Sequence, residues 1–187
     1  MNIQKIKPKI LKLNKKLKWH PEFLRDGRAH HSFESAPDWN ISRNRYWGSA
    51  IPVWKCSCGK MKVIGSIEDL KKEAVKLPGK IDLHKDYLDE VKLNCECGKE
   101  MERVPEVLDC WFESGSMPFA QYHYPFENKK FFEDNFPAQY VAEYIGQVRA
   151  WFYYMLALSS ILFEEIPFEH VVTTGNILAE DGEKMSK

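Results

Sequence analysis

Two short segments of the chain repeat each other closely. CSCGK begins at Cys56 and CECGK begins at Cys95, so each segment places two cysteines one residue apart with a glycine directly after them. The glycine suits a tight turn, because such turns commonly need a backbone angle that other residues avoid. Two such turns can supply the four thiolates of a tetrahedral zinc site, which leaves no position open for a substrate. We therefore predict a structural zinc site with the ligands Cys56, Cys58, Cys95 and Cys97.

The same thiols have other interpretations. The alternatives are a disulfide pair or four reduced core cysteines. We see no secretory signal and therefore expect the chain in the cytoplasm, where disulfides rarely persist. His84 lies between the two pairs and could replace one cysteine, although we interpret it as a solvated loop residue. Cys110, beside Trp111, is interpreted as a small core residue without chemistry.

The two cysteine segments bound a block, residues 55 to 104, that is rich in Lys, Glu and Cys. Between them, Ser66 begins a helical pattern in which its side chain can cap the first turn, with Asp69 at the matching third helical position. Pro78 and Gly79 end this predicted helix, and the stretch from there to Leu93 is predicted to be a loop. The block therefore indicates one small inserted module.

Composition restricts the class of protein without naming a partner. The chain has 187 residues, 44% of them hydrophobic, which suffices for one ordinary domain with a small appendage. Its 27 basic and 27 acidic residues cancel, so no overall charge argues for or against a nucleic-acid partner. The most apolar window, Ala150 to Phe163, is shorter than the roughly 20 residues that span a bilayer. We predict a buried helix there and no membrane partner.

The remaining chain alternates predicted strands and helices. Val104 to Phe112 and Gln139 to Ala142 are typical of short strands, Tyr144 to Phe163 of a long helix, and His170 to Leu178 of a further strand. Strand, helix and strand in this order predict a parallel α/β unit, in which reactive groups gather at the carboxyl ends of the strands.

Two segments near the amino terminus have less definite patterns. Residues 1 to about 20 alternate Lys with Ile and Leu, which is compatible with an edge strand or with a short amphipathic helix. From Trp39 to Arg45, alternate residues predict an extended segment before Gly48.

The chain ends in GEKMSK, from Gly182 to Lys187. Two lysines three residues apart on a loop led by glycine suit the neutralisation of phosphate charge, because each ammonium can reach a phosphate oxygen. Many solvated tails have a similar composition, so this motif gains its meaning from the segments that precede it.

Four segments in one order carry a family resemblance: DWNISRNRYWGSAIPVW, VPEVLDCWFESGSMPFA, YVAEYIGQVRAWFYYM and VVTTGNILAEDGEKMSK. From about Trp19 to its last residue the chain resembles the isoleucyl-tRNA synthetase family of class I aminoacyl-tRNA synthetases. The resemblance implies an α/β fold, the second half of a Rossmann-like parallel sheet domain with an inserted small zinc-ribbon module. Residues 1–54 would lead into the catalytic domain, 55–104 would form the zinc-binding insertion, and 105–187 would complete the domain.

The resemblance also implies an activity, namely activation of isoleucine by ATP, accompanied by Mg²⁺, and transfer of the acyl group to tRNA(Ile). Under this resemblance, Lys184 and Lys187 would stabilise the phosphates in the transition state. The residues that would contact the nucleotide or the polar part of the adenylate are Glu143, Gln147, Gly175, Asn176, Met185 and Ser186. The isoleucine side chain would be held by Trp111 and Trp151. Glu143 and Gln147 lie four apart, which predicts that they share one helical face.

The chain departs from the family pattern in places. Many relatives have Glu-Gly-x-Asp-Gln where this chain has EYIGQ from Glu143 to Gln147, so the family's acidic contact falls on Gly146, and Ala150 stands where glycine is common. The family's other signature, His-Ile-Gly-His, does not occur, nor do the editing and anticodon-binding domains or the last Ser of Lys-Met-Ser-Lys-Ser. We therefore expect a fragment that is inactive without the missing remainder of the synthetase.

Three alternatives to this interpretation stay open. A valyl- or leucyl-type fragment shares the architecture, although the blocks CWFESGSMPFAQYHYP and QVRAWF favour the isoleucine type. A non-catalytic zinc-ribbon module that binds a protein or RNA would not require the lysine loop. A different nucleotide-binding α/β protein is the third alternative.

Overall fold

The computed structural model describes residues 1–185 and divides into two compact units. One unit comprises Met1–Trp39 and Trp111–Lys187, and the other is Asn40–Cys110. The predicted module 55–104 lies within the second unit. No helix in the described part of the chain is long and apolar enough to cross a membrane.

The helices and strands of residues 1–185 follow one another as short elements joined by turns. The α-helices are α1 (Ile3–Asn14), α2 (His30–Glu34), α3 (Ile67–Glu73), α4 (Lys85–Glu90), α5 (Cys110–Gly115), α6 (Met117–Ala120), α7 (Lys129–Asn135) and α8 (Trp151–Leu162). The strands are β1 (Lys18–His20), β2 (Ser42–Arg43), β3 (Val53–Cys56), β4 (Met61–Val63), β5 (Leu93–Asn94), β6 (Glu100–Arg103), β7 (Val107–Leu108), β8 (Ala138–Tyr144) and β9 (Phe168–Thr174). A kinked turn precedes α2 (Arg25–Ala29), and a 3-10 turn precedes α8 (Ile145–Arg149).

The first unit is built on a parallel sheet with the strand order β1-β9-β8. Val141 of β8 and Trp19 of β1 both pair with Val171 of β9. The chain between β8 and β9 runs through α8, whose side chains from Phe152 to Ser160 are largely buried because this helix is apolar on nearly all sides. The predicted strand, helix and parallel strand are therefore confirmed.

Residues 1 to 20 contain both of the structures that the sequence left open. Asn2 accepts a hydrogen bond from the Lys5 backbone N–H and caps α1, which buries Ile3, Ile10 and Leu13 against the unit's core. The chain then turns into β1, where Trp19 is buried between polar neighbours. An amphipathic helix followed by an edge strand satisfies the alternating pattern.

Three predicted element boundaries are wrong. The long helix begins at Trp151 rather than Tyr144, because the backbone of Ala150 (φ −137°, ψ −110°) interrupts the helical path. The last strand ends at Thr174 rather than Leu178, since its partner β8 ends opposite Thr174 and the ladder has nothing further to pair with. The segment from Val104 to Phe112 is a strand only in β7 and becomes helical at Cys110.

The second unit is a four-stranded antiparallel sheet in the order β4-β3-β6-β5. Its core contains Trp54, Leu70, Leu93 and Met101, and the indole of Trp54 donates to the Val91 carbonyl oxygen at 2.8 Å. Burial of these large apolar side chains is the main favourable contribution to folding of a unit this small.

The connection between the cysteine pairs was predicted correctly only in part. Ser66 accepts a hydrogen bond from the Asp69 N–H at 3.0 Å, which confirms the predicted cap of α3. The stretch before Leu93 is not a loop throughout, because α4 forms there and buries Leu88. One buried leucine in a charged stretch gave too weak a periodicity to identify this helix from the sequence.

The extended segment predicted from Trp39 to Arg45 is present in its central part. β2 pairs antiparallel with β7, with Ser42 opposite Leu108 and Arg43 opposite Val107. The guanidinium of Arg43 lies 3.0 Å from the buried carboxylate of Asp109. Arg43 therefore joins the two strands twice, through its place in the strand pair and through its ion pair with the residue that follows β7.

A buried ion pair connects α4 with β6 in the second unit. The Arg103 side chain is fully buried, and it donates to the Asp89 carboxylate at 2.7 Å and to the carbonyl oxygens of Ile51 and Glu106. Burial raises the pKa of Asp89, but hydrogen bonds from Lys85 and Arg103 outweigh burial and hold this pKa below its ordinary value. The carboxylate is thus the counter-charge of a guanidinium that water does not reach.

Replacement of Asp89 by asparagine is expected to lower the free energy of unfolding of this unit by about 2 kcal/mol, because it leaves a buried guanidinium without its counter-charge. The loss is present above the ordinary aspartate pKa of about 3.9 and disappears as the pH falls through the lower folded-state pKa. Urea unfolding at pH 7 measures the loss of stability, and the same experiment at pH 3 measures how far that loss has decreased. Glu102→Gln, which removes the exposed partner of Lys92, is the matched control and should leave the free energy of unfolding nearly unchanged. Equal losses in the two variants would contradict the role of burial.

Candidate metal site and nucleotide cleft

The four predicted cysteine ligands come together in the second unit. All four Sγ atoms lie within 4.8 Å of one another. Cys56 and Cys97 are 3.5 Å apart and Cys58 and Cys95 are 3.7 Å apart, close to the roughly 3.8 Å edge of a tetrahedron with Zn–S bonds of about 2.3 Å. These residues therefore fit a tetrahedral metal ion.

The two cysteine segments have the same backbone geometry. In each, the first cysteine accepts from the glycine N–H at 2.9 Å and donates its own N–H to the lysine that follows the glycine, also at 2.9 Å. Gly59 has φ +90° and Gly98 has φ +81°, which is the left-handed region expected from the sequence. Each turn therefore presents two sulfurs towards the same point.

Without metal the cysteine thiols differ in acidity. The Cys58 backbone N–H donates to the Cys56 sulfur and lowers the pKa of Cys56 to about 6. The Cys97 backbone lowers the pKa of Cys95, but burial and the neighbouring sulfurs outweigh it and raise this pKa to about 11. A divalent cation would favour the deprotonated form of all four.

Two further sulfur or imidazole candidates lie apart from this cluster. The His84 side chain is 86% exposed and pairs with the Asp82 carboxylate, so the interpretation as a solvated loop residue is confirmed. Cys110 is exposed at the start of α5, where its Sγ lies 3.7 Å from the Asp109 carboxylate. Its interpretation as a core residue is wrong, because the helix that begins there turns this position towards solvent.

A cleft of about 530 Å³ lies at the carboxyl ends of β8 and β9 in the first unit. It is lined by five of the residues that the sequence singled out: Glu143, Gly175, Asn176, Lys184 and Met185. Tyr144 and Thr174, the last residues of the two strands, also line it. Ser186 and Lys187, the other predicted residues of the lysine loop, lie outside the described residues.

The loop that carries Lys184 is a tight turn. Lys184 forms a bridge with Leu178, the Ala179 N–H donates to the Glu183 carbonyl oxygen, and the Gly182 N–H donates to that of Ala179. Gly182 has φ +82°, a conformation that glycine adopts most readily. The chain is thereby folded back, so that Lys184 lines the same cleft as the end of β9.

Glu143 and Gln147 do not share a helical face, so that prediction is wrong. Glu143 belongs to β8, and its carboxylate accepts from the Tyr144 N–H at 2.9 Å. Gln147 belongs to the 3-10 turn, and its side-chain oxygen accepts from the Trp151 N–H at 3.1 Å, at the start of α8. The change of backbone path after Tyr144 separates them.

The difference from the family pattern at Tyr144 and Gly146, where many relatives have glycine and aspartate, has a steric explanation. A Cβ atom built on Gly146 would lie 2.2 to 2.4 Å from the ring and hydroxyl of Tyr144. The tyrosine ring therefore occupies the space that an aspartate side chain at position 146 would need. A larger residue at 144 and glycine at 146 are a matched pair.

The two predicted pocket tryptophans have different surroundings. Trp151 donates to the Ser114 carbonyl oxygen at 3.0 Å and lines an apolar cavity of about 300 Å³ that shares Ala142 with the cleft. Trp111 lines neither of these cavities, and its ring stacks on Tyr154 with 5.3 Å between centroids and an interplanar angle of 18°. The structure thus brings Trp151 beside the cleft and holds Trp111 by a neighbouring ring.

Sequence reasoning missed the support behind Trp111. Tyr154 also contacts Trp39, with 4.5 Å between ring centroids and an interplanar angle of 45°, so the three aromatic residues form one continuous cluster. Tyr154 lies three residues after Trp151 on α8, the spacing of neighbours on a helix surface, which was the available signal.

Comparisons with known proteins agree with this geometry. The family described as tRNA synthetases class I (I, L, M and V) matches residues 1–187. An isoleucine–tRNA ligase of Clostridium tetani is 51% identical over 183 residues, which are 97% of this chain and 18% of that protein. One of Treponema denticola is 50% identical over 189 residues, covering all of this chain and 17% of that protein. The chain thus spans less than a fifth of the length of these relatives.

A solved structure shows the same fold. It is the LeuRS of Agrobacterium radiobacter K84, determined as a ternary complex with tRNA and LeuAMS, and it matches 88% of this chain and 24% of its own with a TM-score of 0.58 at 21% identity. This likeness supports the predicted α/β fold class. Because the family matches the chain over its whole length, the chain belongs to the class I tRNA synthetases of the isoleucine, leucine, methionine and valine group.

Proposed function

We propose that the chain forms part of an isoleucine–tRNA ligase, which activates isoleucine with ATP and transfers it to tRNA(Ile). The observation that carries this proposal is the single cleft at the carboxyl ends of two parallel strands, where Glu143, Asn176 and Lys184 meet. Ligands bind at this edge of open parallel sheets. The identity of about 50% to isoleucine–tRNA ligases supports isoleucine as the amino acid.

In the first step the isoleucine carboxylate attacks the α-phosphorus of ATP and pyrophosphate leaves. Lys184 and Lys187 would stabilise the negative charge that shifts onto the phosphate oxygens, and Mg²⁺ would accompany the nucleotide. The nucleotide itself would be held by Gly175, Asn176, Met185 and Ser186. A glycine at 175 has nothing within 4 Å of its missing Cβ, which leaves room for a ligand to approach the backbone.

Recognition of isoleucine would come from the neighbouring apolar groups. Trp111 and Trp151 would form the wall against the side chain, and the stack behind Trp111 makes that wall rigid. Glu143 and Gln147 would bind the polar part of the adenylate. Rigid apolar contacts matter here, because one methylene contributes only about 1 to 3 kcal/mol of discrimination.

The second unit has a structural role in this proposal. Cys56, Cys58, Cys95 and Cys97 would hold one Zn²⁺, which would fix the end of β3 and the turn before β6 and would have no coordination position left for a substrate. The division into residues 1–54, 55–104 and 105–187, the cytoplasmic location and the need for the remainder of a synthetase belong to the same proposal.

A chimera tests this function. The matching 183 residues of the Clostridium tetani isoleucine–tRNA ligase would be replaced by this chain, and pyrophosphate exchange with ATP would be measured for isoleucine, valine and leucine. We expect exchange that depends on isoleucine, with valine disfavoured by about 10- to 200-fold. The chain on its own should give no detectable exchange.

Other outcomes contradict the proposal in distinct ways. A chimera that prefers valine or leucine would indicate a different member of the family. A folded, zinc-containing chimera without exchange for any amino acid would favour a non-catalytic binding module. Robust exchange by the isolated chain would refute the need for the remaining segments.

A further inference from the structure

The lysines of this chain are distributed unevenly. The first 21 residues contain seven of the 27 basic residues and none of the 27 acidic ones. Although the net charge of the chain is zero, its amino-terminal segment is strongly positive and the rest is acidic overall. A local positive field therefore exists that the total charge conceals.

Helix α1 arranges several of these lysines along one side. Lys5, Lys9 and Lys12 are four and three residues apart, so they lie above one another on the helix surface, and Lys16 continues the row just after the helix ends. At about 1.5 Å of rise per residue, this row extends for about 16 Å. The opposite side of α1 is apolar and buried, which keeps the lysines directed away from the core.

The row is only partly neutralised. Lys9 lies 2.6 Å from Glu164, and Lys16 lies 3.0 Å from Glu165, both in exposed ion pairs. Among residues 1–185, no carboxylate oxygen lies within ion-pair distance of Lys5, Lys12 or Lys15. A shallow groove of about 330 Å³ runs beside the row, lined by Lys9, Lys12, Lys16 and Glu164. Exposed ion pairs are weak, so an arriving phosphate can displace them.

We propose that this lysine face of α1, formed by Lys5, Lys9, Lys12, Lys15 and Lys16, binds the phosphate backbone of RNA. A row of ammonium groups without a planar or aromatic partner suits phosphates rather than bases, so the contact would position an RNA without reading its sequence. The RNA would be a tRNA, and this identification alone rests on the proposed function.

An anionic membrane is the less suitable partner for the same charges. Helices that lie on membranes insert a large apolar face, whereas Ile3, Ile10 and Leu13 of α1 are all nearly inaccessible to solvent. The most accessible part of α1 is therefore its lysine row rather than a wide apolar face. Such a surface matches a polyanion in solution.

Fluorescence anisotropy of a labelled tRNA(Ile) transcript with the full chain tests the proposal, at salt concentrations from about 50 to 200 mM. We expect the variant Lys5→Gln, Lys12→Gln, Lys15→Gln to raise Kd by about tenfold or more and to lower the slope of log K against log salt by about two to three. The matched control, Lys71→Gln, Lys72→Gln, Lys76→Gln, removes the same charge from the second unit and should leave both quantities nearly unchanged.

Several results would overturn the proposal. These are an absence of RNA binding by the unmodified chain at low salt, equal loss in both triple variants, or binding to vesicles of phosphatidylserine and phosphatidylcholine in preference to RNA. If the triple variant fails to fold, Lys12→Gln compared with Lys71→Gln gives the same test, with an expected slope change of about one. The assay contains no ATP or isoleucine, so its outcome is separate from that of the exchange assay.

Discussion

Replacement of Cys56 by serine is expected to abolish tight metal binding and to unfold the compact unit Asn40–Cys110. Cys56 ends β3, and its sulfur lies 3.5 Å from that of Cys97. Structural zinc sites in small modules contribute about 10 to 16 kcal/mol at pH 7, more than the apolar core of so small a unit supplies. Loss of one thiolate leaves an incomplete ligand set.

Two measurements check this expectation. Mass spectrometry of the native protein should find about one zinc ion per chain before the change and almost none after it. Hydrogen exchange should show loss of protection at backbone N–H groups of β3 and β6, with those of β8 and β9 retained. Excess chelator should have the same effect on the unmodified protein.

Cys110→Ser is the matched control, because Cys110 is a cysteine of the same chain that lies outside the cluster. This variant should keep its zinc ion and its protected β3 and β6. Zinc content that falls equally in the two variants, or a Cys56→Ser protein with unchanged hydrogen exchange, would contradict a structural metal site.

The second large effect is expected at the lysine loop. In the chimera that carries this chain, Lys184→Ala should lower kcat for isoleucine-dependent pyrophosphate exchange by about 100- to 1,000-fold, the usual effect of removing one preorganised group that stabilises charge in the transition state. KM for ATP should rise much less, because the lysine contributes most when charge has moved onto the phosphates. Lys187→Ala should likewise lower kcat and raise KM for ATP much less.

Lys130→Ala provides the control for removal of a lysine from the surface. Lys130 is 88% exposed on α7, pairs with Asp134 and does not line the cleft, so exchange should stay within about twofold. If Lys184→Ala raised KM for ATP and left kcat intact, the lysine would bind the ground state alone, and its proposed role would be wrong.

The sequence was most informative where local chemistry alone restricts the structure. Two Cys-x-Cys-Gly segments predicted a four-sulfur cluster, and the four sulfurs lie within 4.8 Å of one another. The cap at Ser66 was also predictable, since it requires only a side chain and a backbone N–H three residues later. Such features depend on a few neighbouring residues, so distant parts of the chain do not alter them.

Element boundaries were less predictable, because they depend on partners elsewhere in the chain. β9 ends where β8 stops pairing with it, and α4 forms in a charged stretch because Leu88 is buried there. The apolar pattern from Tyr144 to Phe163 continues through the break at Ala150, so periodicity could not locate the start of α8. At each of these points, packing against distant parts of the chain overrides the local helix or strand propensity.

The sequence by itself determined the chemistry that is available: four thiols in two tight turns, a loop of lysines, two tryptophans, and an order of apolar segments that predicts a parallel α/β unit. Only the tertiary structure decided which of these groups meet. It brought Glu143, Asn176 and Lys184 to one cleft, supported Trp111 with Tyr154, and exposed Cys110. The physical reason is that a motif is set by bonds between neighbours, whereas a site depends on burial and pairing between segments far apart in the chain.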